Sequence, residues 1–186
     1  MVTNLYFVRH AHSEYSTEEL KRPLSEKGLC DAKIVNQLLA KESIDYVISS
    51  PYLRAVQTVE GAAKDIGKEV IIVDAFKERQ LSSQYVEDFQ LAVTKVWKEP
   101  AFYWKGGESN ITAQKRGVKA TIKVLERFEN KNILIGTHGN IMVLIMNYFD
   151  TNYGFDFWKE LNMPDIYKLS FDKLELKEVN RIWGKG

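Results

Sequence analysis

One segment near the amino terminus points to the architecture: Leu5-Tyr6-Phe7-Val8-Arg9-His10-Ala11-His12-Ser13-Glu14. Its first four residues form an apolar run without alternation, which is typical of a strand covered on both faces inside a parallel sheet. The run ends at Arg9, because a cation cannot continue a buried strand. In open α/β sheets the loops beyond the carboxyl ends of the strands form the ligand crevice. We therefore expect Arg9, His10, His12 and the Ser13 hydroxyl to lie at its mouth.

Length and charge narrow the classes of function. The chain has 186 residues, which is within the usual size of one domain and long enough to bury a full core. We therefore expect a single domain over residues 1–186. Lys and Arg number 26 against 25 Asp and Glu, so the net charge is +1. Without a global basic field, we expect neither nucleic acid nor a membrane as a partner.

The single cysteine, Cys30, falls within a helical pattern and has no second cysteine with which to form an internal disulfide. Together with the absence of a signal-peptide pattern, it predicts a cytoplasmic protein and a buried, inert thiol. The longest apolar run, residues 141–146, is well short of the roughly 20 residues that a membrane helix requires. It therefore predicts a core helix.

Predicted strands alternate with predicted helices along the chain. Apolar or alternating runs predict strands at residues 5–8, 45–49, 69–73, 132–137, 167–171 and 174–183. Helical spacing and serine caps predict helices at residues 25–40, 50–66, 86–97 and 109–128, and another from residue 141. The alternation predicts a three-layer α/β/α fold with a mostly parallel mixed sheet and one antiparallel strand near its end.

Polar side chains follow the predicted strands where the crevice is expected. Arg9 and His10 end the first strand, Arg54 lies in the first turn of the helix after the second, and His138 ends the fourth. Gly139 then opens a helix whose N-terminal amides carry partial positive charge. This combination favours a dianion, and phosphate best matches the planar fork of arginine. An imidazole beside a held phosphoryl group is a competent nucleophile.

The segment Arg9-His10-Ala11-His12-Ser13-Glu14 resembles the Arg-His-Gly signature of the histidine phosphatase superfamily, which includes the cofactor-dependent phosphoglycerate mutases. Further motifs follow in the family's order and extend the resemblance to about residue 140. They are Pro23-Leu24-Ser25-Glu26-Lys27-Gly28, Ser49-Ser50-Pro51-Tyr52-Leu53-Arg54-Ala55-Val56-Gln57-Thr58, Gly106-Gly107-Glu108-Ser109 and Thr137-His138-Gly139-Asn140. The ordered set is more specific than any one motif.

The resemblance implies a phosphoglycerate mutase-like fold and a reaction in which His10 is transiently phosphorylated. It also implies that Arg9, Arg54 and His138 hold the phosphoryl group. The physical interpretation of the strand ends and the family resemblance therefore identify the same four residues.

The resemblance further implies an acidic residue that protonates the leaving oxygen. In the family it often follows the third strand, where this chain has Phe76-Lys77-Glu78-Arg79. We assign Glu78, with Glu108 as its rival. Ser13 and the main chain at Gly139 are expected to add phosphate contacts. An acid that must be protonated beside a phosphate dianion predicts an activity optimum below neutral pH.

Two residues depart from the family signature. Ala11 replaces its glycine, and a small residue is tolerated there if its backbone angles are ordinary. His12 stands where Glu or Gln is usual. It is expected either to be exposed, to contact the substrate, or to add positive charge to the site.

The expected function is a metal-independent phosphatase, without a cofactor, that hydrolyses a phosphorylated small molecule. A mutase-type phosphotransferase is the alternative, although the chain is short for a mutase and lacks an extra basic segment. His10 and His12 also form a His-x-His pair that could bind a catalytic metal. The barrel fold that usually carries such a pair needs about 250 residues, which disfavours it. A non-catalytic phospholigand-binding module ranks lowest, because all the catalytic groups are present.

Overall fold

The computed structural model describes residues 2–184, so the expected domain limits at residues 1 and 186 lie outside the described residues. Six strands form one sheet: β1 (Thr3–Arg9), β2 (Tyr46–Ser49), β3 (Ile71–Ile72), β4 (Asn132–Thr137), β5 (Asp165–Asp172) and β6 (Glu175–Arg181). The α-helices are α1 (Glu26–Leu39), α2 (Leu53–Asp65), α3 (Phe89–Lys98), α4 (Asn110–Arg127), α5 (Gly139–Phe149) and α6 (Phe155–Glu160). Short 3-10 turns cover Glu19–Lys21 and Asp74–Phe76.

The sheet has the order β3-β2-β4-β1-β5-β6. Strands β1 to β4 are parallel to one another, whereas β5 pairs antiparallel with β1 and with β6. This is the predicted mostly parallel mixed sheet with an antiparallel end, and the predicted three-layer fold class is confirmed. Strand β1 lies between β4 and β5, so its carboxyl end opens at the middle of the sheet.

The core lies on both faces of the sheet, as the apolar start of β1 predicts. Leu5 and Phe7 pack into a cluster with α4 and α5, and Tyr6 and Val8 pack into a second cluster with α1 and α2. All four side chains are at most 1% exposed. A strand buried on both faces cannot show polar alternation, which explains its uniform apolar sequence.

Some predicted boundaries and one helix differ from the structure. The second helix begins at Leu53 rather than at the predicted Ser50 cap, and its N-cap Tyr52 provides no side-chain hydrogen bond. Strand β3 is limited to two residues, because it is an edge strand and β2, its only neighbour, ends at Ser49. Helix α6 was not predicted, since six residues are too few to establish a helical period.

The expectation of a buried thiol is wrong: Cys30 is exposed and free. Its helix α1 packs on the sheet through Val35 and Leu39, and Cys30 lies on the solvent side. Among residues 2–184, no helix is both long and apolar enough to cross a membrane.

Candidate active site

Two imidazoles meet at the carboxyl ends of the neighbouring strands β1 and β4. Arg9 is paired in register with Thr137, so His10 and His138 are the first residues beyond the two strand ends. Their ring centroids are 5.2 Å apart. Parallel pairing therefore brings together two histidines that are 128 positions apart in sequence.

His10 is held in one orientation and one tautomer. Its Nδ1 lies 2.7 Å from the Ala11 carbonyl oxygen, and its Nε2 accepts a hydrogen bond from Arg54 Nε at 3.2 Å. These partners assign the proton to Nδ1 and leave the lone pair on Nε2. Burial lowers the pKa of His10 to about 3, and the nearby arginines act in the same direction. At neutral pH the ring is uncharged, which is the form that can attack phosphorus.

His138 is the N-cap residue of α5 and is buried. Its Nε2 lies 2.8 Å from Ser50 Oγ, and the ring of Tyr52 packs edge-on against it with centroids 4.8 Å apart. Burial, and then the proximity of His10 and Arg54, keep the pKa of His138 well below its ordinary value. Helix α2 begins at Leu53, three residues after Ser50, so the Ser50 hydroxyl does not cap the helix as the sequence predicts.

Arg54 is a buried cation that reaches across the site to His10. Its Nη1 donates to the Glu19 carbonyl oxygen at 2.9 Å and lies 3.1 Å from a Glu19 carboxylate oxygen. Its guanidinium carbon stands 4.7 Å from the centre of the Tyr52 ring. Burial lowers the pKa of Arg54, while the charge of Glu19 opposes that effect. These contacts hold the guanidinium beside the predicted nucleophile.

Arg9 lies against the first turn of α5. Its Nη1 donates to the carbonyl oxygens of Leu161 and Asn162, at 3.1 and 3.2 Å. Its Nε is buried and has no hydrogen-bond partner in the described part of the chain. A β-carbon on Gly139 would come within 3.1 Å of this nitrogen. A residue without a side chain at position 139 therefore lets Arg9 approach the helix N-terminus.

Glu78 follows the 3-10 turn after β3 and lies at the N-terminus of α5. Its Oε1 accepts hydrogen bonds from the amides of Arg79 and Ile141, at 2.8 and 2.9 Å. Its Oε2 accepts one from the amide of Asn140, at 3.0 Å. The carboxylate therefore uses two of the helix amides that the sequence suggests for phosphate. The amide of Gly139 makes no hydrogen bond to the Glu78 carboxylate. The phosphate contact predicted for the Gly139 main chain stays a prediction.

Glu108, the rival acid, is committed to an ion pair. Its two carboxylate oxygens accept hydrogen bonds from Nε and Nη2 of Arg116, at 2.9 and 2.7 Å. Nη1 of Arg116 also donates to the carbonyl oxygens of Ala75 and Lys77. Glu108 thus anchors the chain that leads to Glu78, and this geometry favours Glu78 over Glu108 as the acid.

Ser13 and His12 point in different directions. The Ser13 hydroxyl is buried and has no hydrogen-bond partner among residues 2–184, so it is available to a ligand that reaches it. His12 is exposed, and its Nδ1 lies 2.7 Å from the hydroxyl of Ser25, the N-cap of α1. Since His10 and His12 have separate partners, the structure does not bring the two imidazoles of the His-x-His pair together.

Gly28, at the end of the Pro23–Gly28 motif, packs against the backbone of the signature loop that carries His10. A β-carbon at this position would lie 1.9 Å from the carbonyl oxygen of His12, a distance that no side chain can tolerate. The hydroxyl of Ser25 also accepts a hydrogen bond from the Gly28 amide at 3.1 Å. The motif from Pro23 to Gly28 therefore supports the backbone of the loop that carries His10.

Other residues that support the site were quoted within the motifs but had no predicted role. Thr58 Oγ1 accepts a hydrogen bond from the Ala11 amide at 3.1 Å and donates to the Arg54 carbonyl oxygen at 2.7 Å. Gln57 accepts from the Leu24 amide at 2.8 Å. The only available signal was their position in a family motif, because helical spacing does not reveal partners in distant loops.

Comparisons with known proteins identify the family of this chain. A model of the histidine phosphatase superfamily, branch 1, matches residues 5–180. Phosphoserine phosphatase 1 of Hydrogenobacter thermophilus is 29% identical over 153 residues, which cover 74% of this chain and 71% of that protein. A probable phosphoglycerate mutase of Photorhabdus laumondii is 34% identical over 79 residues, or 40% of this chain and 37% of that protein.

Solved structures show the same fold. A mutant phosphoserine phosphatase of Entamoeba histolytica in complex with phosphoserine superimposes with a TM-score of 0.80 at 19% identity, covering 98% of each chain. A mycobacterial glucosyl-3-phosphoglycerate phosphatase superimposes with a TM-score of 0.78 at 17% identity, covering 100% of each chain. Because the family match extends over nearly the whole sequence, this chain belongs to the histidine phosphatase superfamily, branch 1.

Proposed function

We propose that this protein hydrolyses phosphate monoesters through a phosphohistidine formed on His10. The observation that carries the proposal is the environment of that ring: its proton is held on Nδ1 and its Nε2 lone pair lies beside Arg54. Burial keeps the ring neutral at pH 7, and His138 and Arg9 stand at the adjacent strand ends. The constellation supplies a nucleophile and positive charge for a phosphoryl group.

The chemistry divides into two steps. His10 Nε2 attacks phosphorus, the bond from phosphorus to the ester oxygen breaks, and protonated Glu78 gives its proton to that oxygen. Oε2 of Glu78 accepts a single hydrogen bond within the described chain, from the Asn140 amide, which leaves room for the proton there. A water molecule then attacks phosphorus and gives a proton to the Glu78 carboxylate. The bond from phosphorus to His10 Nε2 breaks, its electron pair returns to Nε2, and inorganic phosphate leaves.

Hydrolysis is favoured over mutase transfer. The phosphatase relative aligns over 74% of this chain, whereas the mutase relative aligns over 40%. The solved neighbours described above are phosphatases as well. A mutase must also hold its phosphorylated intermediate for the return transfer, and the sequence has no additional basic segment for that purpose.

Arg79 suggests the class of ester. It is 3% exposed, and its Nε and Nη1 have no partner within the described residues. A buried guanidinium is strongly stabilised by a bidentate anion. The relatives are named for phosphoserine and glucosyl-3-phosphoglycerate, which carry a carboxylate beside the phosphate ester. We therefore propose a small phosphate ester with a carboxylate as the substrate, and the cytoplasm as the location.

The test is a panel of phosphate esters assayed with the wild type and His10→Ala. The panel includes phosphoserine, 3-phosphoglycerate with and without its bisphosphate cofactor, and matched esters that lack the carboxylate. We expect release of inorganic phosphate by the wild type, none above background by His10→Ala, and a preference for the carboxylate esters that Arg79→Gln reduces. Mutase turnover that outpaces hydrolysis would reverse the ranking, and full activity of His10→Ala would refute the mechanism.

Two further measurements separate the proposed chemistry from metal catalysis. Rapid quenching at alkaline pH, followed by mass spectrometry, should find a phosphoryl group on the peptide that contains His10. Treatment with EDTA should leave turnover unchanged. Activity that EDTA abolishes and Zn²⁺ or Mn²⁺ restores would support the His-x-His metal hypothesis instead.

A further inference from the structure

A buried carboxylate lies beside Arg9 in the sheet without forming an ion pair with it. Asp165 begins β5 and is the register partner of Arg9 in the ladder between β1 and β5. It is fully buried, and its charge raises the pKa of Arg9 against the lowering effect of burial. Arg9 nevertheless donates to the carbonyl oxygens of Leu161 and Asn162. The site therefore contains a cation and a buried anion that are neighbours but not partners.

The carboxylate of Asp165 is already occupied by four donors. Arg181, on the edge strand β6, donates from Nε to Oδ1 and from Nη2 to Oδ2, each at 2.9 Å. The amide of Ile166 also donates a hydrogen bond to Oδ1, at 3.0 Å, and the amide of Asn162 donates one to Oδ2, at 2.9 Å. A fork-to-fork pair with two additional amides leaves no favourable position for a second guanidinium.

The same carboxylate also shapes the loop that holds Arg9. By accepting from the amide of Asn162, Asp165 turns the segment from Leu161 to Asn162 so that its carbonyl oxygens face Arg9 Nη1. The order of contacts therefore runs from Arg181 to Asp165, then to the 161–162 main chain, and finally to Arg9. No residue beyond position 150 belongs to a sequence motif of the site, yet the carbonyl oxygens of Leu161 and Asn162 hold its first arginine.

Two guanidinium groups compete here for one buried anion. If Arg181 were removed, Asp165 would be a buried and unpaired charge, which is strongly unfavourable. Arg9, its register partner on β1, is a cation that could neutralise it. Arg9 would then turn from the crevice toward β5.

We propose that Arg181 is a positioning residue that, by saturating Asp165, keeps Arg9 available for the phosphoryl group. The inference rests on the proposed function, because it uses the role assigned to Arg9. It predicts that the charge of Asp165 becomes harmful only when Arg181 is absent.

The experiment compares Arg181→Gln with the double variant Asp165→Asn/Arg181→Gln. For each we measure kcat and KM on the best ester of the panel, and the inhibition constant of inorganic phosphate. In Arg181→Gln we expect kcat/KM to fall at least tenfold and the inhibition constant to rise at least tenfold. The double variant should recover to within threefold of the wild type, because position 165 then carries no charge that could draw Arg9 away from the crevice.

Lys177→Gln is the matched control. It removes one positive charge from the same strand, but its partner is the exposed residue Glu175, so activity should stay within twofold of the wild type. If Arg181→Gln behaves like this control, or if the double variant is no more active than the single one, the proposal is wrong. Recovery by the second substitution is a result that loss of packing alone cannot produce.

Two additions keep the test decisive. If Arg181→Gln does not fold, Arg181→Lys replaces it, since it keeps the charge but lacks the fork that pairs with both oxygens of Asp165. Its inhibition constant for inorganic phosphate should be higher than those of the wild type and of the Lys177→Gln control. An inhibition constant in Arg181→Lys equal to that of the control would overturn the proposal. An inactive wild type would refute the proposed function, whereas an active wild type with unaffected Arg181 variants would refute only this inference.

Discussion

The loop that follows β1 has two faces, and each carries one histidine in a different environment. On the inner face His10 is buried and lies beside Arg54 and His138. On the outer face His12 is exposed and contacts Ser25 at the start of α1. The two imidazoles are two residues apart and belong to the same signature, yet the chain around them gives them different partners.

This comparison shows that the chemistry of a side chain in this loop depends on which face it occupies. Burial and the nearby arginines lower the pKa of His10 to about 3, and its lone pair points to the site. The outer face instead holds the loop on α1 through the close contact of Gly28 with His12. We therefore expect substitutions on the inner face to affect turnover and those on the outer face to affect folding.

After the replacement of His10 itself, the largest effect is expected for Arg54→Met. This change removes the donor beside His10 Nε2, and a group that stabilises transition-state charge is worth about 3–4 kcal/mol, or on the order of 100- to 1000-fold in kcat/KM. Steady-state kinetics measure the loss. The control is Lys21→Met, because Lys21 is exposed and its ammonium group pairs with the exposed residue Glu18. Equal losses in the two variants would contradict the division between the faces.

The second largest effect is a loss of stability expected for Gly28→Ala. The new β-carbon would meet the His12 carbonyl oxygen at 1.9 Å, so the loop and α1 must separate, at a cost of about 3 kcal/mol. Urea denaturation measures the change in the free energy of unfolding. Gly154→Ala serves as the control, since nothing lies within 4 Å of a β-carbon there. A Gly28→Ala protein as stable as that control would show that the contact does not support the loop.

The pH dependence of stability follows from the two buried histidines. Because both have lowered pKa values in the folded state, the unfolded chain binds more protons below about pH 6.5, and folding stability falls as the pH falls. Between pH 7 and 5.5 the loss is about 1.3 kcal/mol for each histidine, or about 2.5 kcal/mol for both. Denaturant titrations in phosphate-free buffer measure it.

The variant His10→Asn sharpens this measurement. It removes one of the two histidines responsible, so the loss of stability between pH 7 and 5.5 should fall by about half. A wild type whose stability is constant over this interval would show that the imidazoles are not held neutral by burial.

The smallest effect is expected for His12→Gln. Glutamine keeps a hydrogen-bonding group near Ser25, and an exposed neutral hydrogen bond contributes about 1 kcal/mol or less. Turnover should stay within about threefold, since 0.6 kcal/mol corresponds to that ratio. Enzyme assays and thermal melts on the same preparation test both points. A loss of turnover above tenfold would mean that His12 reaches the substrate after all.

Much of the fold was predictable because its signals are local. The unbroken apolar run of β1 reflects burial on both faces, and Ser25 and Ser109 cap their helices as predicted. The failures also have local causes. Ser50 has the sequence of a cap but bonds to His138 instead, and Cys30 lies on the exposed side of its helix. A helical pattern alone could not distinguish these alternatives.

The candidate site was predictable in its members but not in its connections. Arg9, His10, Arg54 and His138 stand at strand ends or helix starts, and the topology brings such positions to one edge of the sheet. The supporting contacts were not predictable. Thr58 with Ala11 and Arg181 with Asp165 join groups that no periodicity links.

By itself, the sequence determined that the sheet would be mostly parallel and that a signature loop would follow its first strand. It also determined that Arg9, His10, Arg54 and His138 would stand at strand ends or at a helix start. Apolar periodicity and polar residues at strand ends are local properties of the chain, so they can be recognised in the sequence without knowing which residues are in contact in the folded protein. Only the tertiary structure decided that His10 faces inward and His12 outward, that Glu78 rather than Glu108 meets α5, and that Asp165 pairs with Arg181. Those outcomes depend on burial and on register between distant strands, which arise only when the chain is folded.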